Sequence, residues 1–134
     1  MPIFSRKPKP PPELPVQLPI GERCERAVRA TLTQAKQSMG GALYLTNRRL
    51  MFYASKGEAR WLVVPFDEVK TAAVYASPRG HIGAPQTGGP ALFIETTMGE
   101  HIWFGFDRKE QDAWLADVRK RVEEAAAAAV EDED

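Results

Sequence analysis

The groups in this chain with most chemical reach are cations. Lys36 and the adjacent Arg48 and Arg49 carry the charge needed to hold a phosphate, a guanidinium forking onto two oxygens where an ammonium supplies a point charge. Arg79 adds a further cation in a stretch rich in Gly and Pro, and Arg6, Lys7 and Lys9 stand near the start, each able to add roughly 1 kcal/mol of attraction to an anionic surface. Nucleophilic chemistry has less to work with. The histidines are His81 and His101, and the one cysteine is Cys24. A Cys-His pair can form covalent intermediates, but these three are far apart in sequence. The chain holds no His-Glu-x-x-His, no Gly-x-Ser-x-Gly and no Gly-rich loop ending in Lys-Ser/Thr. Cys24 opens the first predicted strand and reads as a small apolar filler. The chain is therefore expected to be no enzyme and to need no cofactor and no metal. A single cysteine also excludes an intramolecular disulfide and a Cys-rich zinc site.

The elements that must position these groups are bounded by length and charge. A chain of 134 residues fits one domain, and 43% hydrophobic residues suffice for a core. The 18 Lys and Arg balance the 18 Asp and Glu, yet six of the acids (Glu123, Glu124, Glu131, Asp132, Glu133 and Asp134) follow Val122, so a basic body precedes an acidic end. No apolar run approaches the roughly 20 residues of a membrane-spanning helix, and the start MPIFSRKPKPPP lacks the apolar stretch of a signal peptide. A cytoplasmic protein is expected, at most peripheral at the inner face of the membrane. A sequence pI of about 6.7 and tryptophans in core-like positions (Trp61, Trp103, Trp114) argue against nucleic acid as a partner.

Seven of the 11 prolines fall within the first 19 residues, which predicts a disordered, polyproline-like basic arm over residues 1–19. Within it Pro12 follows Lys9 by three residues and precedes Pro15 by three, the spacing an aromatic groove reads on a polyproline helix; composition alone also accounts for it as a spacer. The folded domain is expected over 20–126, with a flexible acidic tail over 127–134. Inside the domain the apolar pattern has period two, predicting strands at 26–33, 42–46, 50–54, 60–65, 69–76, 91–96 and 101–106. Asn47-Arg48 suits a tight hairpin, and 77–90, with four Gly and three Pro, reads as a long loop. From Asp107 the period changes to nearly four. Asp107 caps a helix whose stripe is Trp114, Leu115, Val118 and Val122, and Ala125 to Ala129 extend it on propensity alone.

Seven antiparallel strands followed by one amphipathic helix is the layout of the pleckstrin-homology (PH) superfold, a seven-stranded sandwich or split barrel capped by the helix. Gly41 to Tyr53, GALYLTNRRLMFY, resembles the central hairpin of GRAM domains, in which a Gly, an apolar strand, a Thr-x-x-Arg-Leu turn and an aromatic second strand recur. Val63 to Val69, Leu92 to Phe106 and Asp107 to Val122 keep that family's order, so the resemblance spans about 20–122. It implies that Leu43, Leu45, Leu50 and Phe52 fill the sandwich, that Gly40 and Gly41 let the chain enter a strand sharply, and that Trp114 plugs the open end. It also implies a binding module for lipid or protein. Lipid-binding PH domains place a basic signature on the first loop and the following strand, whereas Ala42 to Thr46 has no basic residue.

The function expected is a non-catalytic adaptor. A protein partner docks at a sheet edge or at a loop end formed by Lys36, Arg48, Arg49 and Arg79, with Arg6, Lys7 and Lys9 on a tethering arm. The alternative is peripheral binding to anionic membrane lipid through the arm and the Arg48-Arg49 hairpin.

Overall fold

In a computed structural model the chain is described over residues 12–35, 37–54, 60–76, 78 and 89–131, without the side chains of 129–131. The predicted period-two segments form seven antiparallel strands: β1 (Cys24–Gln34), β2 (Gln37–Thr46), β3 (Arg49–Ala54), β4 (Arg60–Pro65), β5 (Val69–Tyr75), β6 (Ala91–Thr96) and β7 (His101–Gly105). One helix, α1 (Arg108–Glu131), follows. The fold is mainly β, PH-like, with the helix as cap.

The sheet order is β4-β3-β2-β1-β7-β6-β5, so β4 and β5 are its edges. β1 pairs with β2 along its whole length, but with β7 only from Thr31 to Gln34. The sheet therefore splits where the first half of β1 leaves β7. α1 spans that region, with Arg26 bonded to Asp117 and Glu25 to Arg121. Asp107 caps the helix as its sequence predicts, its carboxylate accepting from the Lys109 N-H at 3.0 Å.

The inward positions make one core. Leu43, Leu45, Leu50 and Phe52 are buried as expected, and Phe52 meets Phe104 at 5.9 Å between ring centroids, tying the halves together. Trp114 and Val118 enter this core from α1, and Trp114 contacts Phe106 at 5.6 Å. Gln111, on the first turn of α1, is buried and donates to the Pro90 and Phe106 carbonyls at 2.8 and 2.7 Å. It fastens the helix start to the entry of β6.

Four features depart from the sequence reading. β1 ends at Gln34 and β2 begins at Gln37, so both strands are longer than predicted; Gln37, Ser38, Gly40 and Gly41 carry no apolar alternation to reveal them. The helix runs through the Ala125–Ala129 extension to Glu131, into the segment expected to be a flexible tail. Cys24 is exposed rather than a filler, because a register shift between Cys24 and Arg26 changes which face the strand presents. Finally, residues 12–18, expected to belong to the disordered arm, lie on the outer face of the sheet, where Leu14 and Leu18 pack against Ala42, Tyr44 and Met51.

Candidate interaction surface

The predicted basic cluster lies only in part within the described residues. Lys36 and Arg79, like Arg6, Lys7 and Lys9, lie outside the described residues. Gln34 and Gln37 pair at one end of β2, while Asn47 and Arg48 follow its other end. A strand of 10 residues separates these ends by about 30 Å.

Arg49 is also committed to an internal partner. It forks onto Glu22, Nε to Oε2 at 2.8 Å and an η nitrogen to Oε1 at 2.5 Å, and the Glu22 side chain is 0% exposed. Thr46 completes this corner: its hydroxyl donates to Glu22 Oε2 at 2.6 Å and accepts the N-H groups of Arg48 and Arg49 at 3.0 and 3.1 Å. Asn47 fastens the same two segments from the other side, accepting from the Arg23 N-H at 2.8 Å and donating to the Gly21 carbonyl at 3.0 Å. Gly21 sits at φ +89°, third in a turn closed by the Glu22 N-H on the Pro19 carbonyl at 3.0 Å, a place that favours glycine. The Arg49 hydrogen bonds, before any other effect, hold the Glu22 carboxyl below the usual carboxylate range. The Thr-x-x-Arg turn thus uses its Thr and Arg to hold a buried acid, and sequence alone did not show this because Glu22 lies outside the motif.

Arg48 remains exposed. It borders a cleft of about 490 Å³ together with Asn47, Pro65, Asp67 and, on the helix, Arg121 and Glu124. Arg121 is itself paired with Glu25 and Glu124, leaving Arg48 as the cation of this cleft without an ion pair among the described residues.

The outer face of the sheet offers more surface. On the edge strand β4, Trp61 is 39% and Val63 41% exposed, and they point the same way because they are two residues apart. Trp61 stacks on Tyr53 of β3 at 4.6 Å, and Val63 is opposite Met51. No described strand pairs with the free side of β4. The other edge is managed differently, since Arg119 of α1 donates to the Ala72 carbonyl of β5 at 2.9 and 3.2 Å. Of the three tryptophans, Trp103 and Trp114 are core as expected and Trp61 is the exposed one. Next to the Tyr53–Trp61 pair lies an open cleft of about 680 Å³, bordered by Pro12, Glu13, Pro15, Arg29, Gly41 and Tyr44 among others. At its rim the Tyr44 hydroxyl donates to the Glu13 carbonyl at 2.9 Å.

Among the described residues, the groups suited to catalysis have other partners. The Cys24 thiol is pushed up by desolvation and donates to the Arg26 carbonyl at 3.3 Å. His101 lies 3.7 Å from Glu95 and packs edge-on against Phe93. His81 is outside the described residues. Among the described residues no three His, Cys, Asp or Glu side chains converge, and no helix is long and apolar enough to cross a membrane.

No family model matches this chain, and no curated protein matches it. Among solved structures it is similar to the C-terminal domain of an unknown protein from Leishmania infantum, with a TM-score of 0.56 and 15% identity over 76% of this chain and 85% of that one. At that identity the likeness is one of fold.

Proposed function

We propose that the chain is a non-catalytic interaction module of the GRAM, PH-like type, an adaptor whose protein partner docks along the free edge of β4. The observation carrying this reading is the exposed Trp61–Val63 pair on an edge strand no described strand covers, with the Tyr53 ring stacked behind it. Exposed strand edges offer unpaired N-H and C=O groups to an incoming chain, and adjacent aromatic area supplies the desolvation that gives such contacts affinity. Arg48, at the turn leading into β3, adds a cation at the end of this surface.

The anionic-membrane reading loses support from the same geometry. Of the hairpin pair that reading uses, Arg49 is spent on Glu22, which leaves Arg48 to contribute roughly 1 kcal/mol of attraction to an anionic surface.

The test is photo-crosslinking from position 63 of the full chain in its native cell. A defined partner is expected, and it should be lost in Trp61→Lys at unchanged melting temperature. Retention of the full chain on phosphatidylserine vesicles at low salt, with no crosslinked protein, would replace this reading with the membrane one.

A further inference from the structure

The described part of the proline-rich segment forms one wall of the outer-face cleft. Pro12 and Pro15 both border the cleft, and three residues complete one turn of a polyproline helix, so this spacing presents them on one side. Between them the Glu13 carbonyl accepts the Tyr44 hydroxyl. A polyproline-type segment makes no internal hydrogen bonds, so its carbonyls are free for such a donor whatever the side chain. Tyr44 and Tyr53 supply aromatic walls, and the Tyr53–Trp61 stack continues them toward β4. Arg29 borders the same cleft without an ion pair among the described residues, which gives an acid in the bound segment a partner.

The segment is held lightly. Residues 12–19 belong to no strand or helix, and Leu14 and Leu18 are half-buried. No ladder of backbone bonds breaks on its release, which exposes, besides Leu14 and Leu18, the Ala42, Tyr44 and Met51 side chains they cover.

We propose that the outer face around Tyr44, Tyr53 and Arg29 reads proline-rich segments of the Pro-x-x-Pro type, and that residues 12–18 cover part of it in cis along one wall of the cleft, so that a proline-rich segment of another protein binds by displacing them. This rests on the protein-binding reading above and names the class of partner. Tethering gives the internal segment an effective concentration on the order of millimolar, so the intact chain admits competitors only weakly.

The probe is a fluorescent peptide with the sequence of residues 9–19, titrated by anisotropy. The full chain carrying Leu14→Asp and Leu18→Asp should bind it at least tenfold more tightly than the unaltered chain. Adding Tyr44→Phe should weaken that binding at least fivefold, and a peptide with its prolines replaced by alanine should not bind. Absence of binding to the double variant, with its circular dichroism unchanged, overturns the proposal, as does equal binding of the alanine peptide. Should the double variant fail to fold, the unaltered chain labelled with nitrogen-15 decides. Excess peptide must move the Leu14 and Leu18 amide signals toward random-coil positions, and their standing still overturns the proposal. Failure here with a partner still captured from position 63 removes the cleft and leaves the β4 edge reading in place.

Discussion

Glu22 is the most constrained charge described in the molecule, and its surroundings determine what acid does to the fold. Its carboxyl is depressed chiefly by Arg49, so the stabilisation it contributes is fully present above the unfolded value of about 4.3 and is lost as pH falls through the lower folded value. Thermal melts between pH 2 and 7 should show a steeper acid decline for the unaltered chain than for Glu22→Gln, which has no charge to lose. Arg49→Met at neutral pH leaves a buried carboxylate without its cation. We expect a loss of about 2–3 kcal/mol by urea titration, below the roughly 3–5 kcal/mol of a fully buried pair because the Arg49 side chain is 32% exposed. The same substitution should leave partner capture from position 63 unchanged, whereas a ligand-binding arginine would abolish it. The sequence displayed the Thr-x-x-Arg-Leu pattern openly. It could not show that Arg49 faces inward, because burial of Glu22 depends on the turn at Gly21, which brings it under the hairpin.

At the scale of the element, strands were legible wherever one face is apolar and the other polar, and the boundaries of β4 and β6 agree with their alternation. The start of β2 escaped because glycines carry no hydropathy. Their roles differ sharply. A Cβ on Gly41 would stand 2.3 Å from the Tyr53 carbonyl oxygen and 2.8 Å from the Phe52 ring, while one on Gly40 meets nothing within 4 Å. Gly41→Ala should therefore force β2 and β3 apart and cost about 2 kcal/mol or more, and Gly40→Ala should be near neutral, both read from chemical denaturation. The outer face was illegible for another reason. Tyr44 and Met51 sit on the face that period two assigns to solvent, and it is Leu14 and Leu18, from a segment whose proline content reads as disorder, that cover them. An apolar residue on the wrong side of an alternating strand signals such a cover.

For the molecule as a whole, the helix and the two halves of the sheet share one core, and Trp114 is the helix's largest side chain in it. Trp114→Ala should lower stability by about 3–5 kcal/mol, a large share of the roughly 5–15 kcal/mol a domain possesses, and should do so in a single urea transition seen alike by far-ultraviolet dichroism and tryptophan fluorescence. The elements were readable from the sequence because strand number and the final change of period are local signals. The role of Arg49 was not, since charge is counted along the chain while its partner, Glu22, is chosen by the fold.

The short pairing between β1 and β7 also imposes an order on folding. β1 to β4 join neighbours in the chain through successive hairpins, and closing short loops is fast. Joining Thr31–Gln34 to Ile102–Gly105 requires the ends of nearly the whole domain to meet, so that step comes late and sets the overall rate, in the millisecond-to-second range of strand-rich topologies. Substitutions confined to this four-residue seam should accordingly accelerate unfolding, while those in the first four strands slow refolding. A chain emerging from its N-terminus can thus complete its central hairpins well before the seam that finishes the domain has been synthesised.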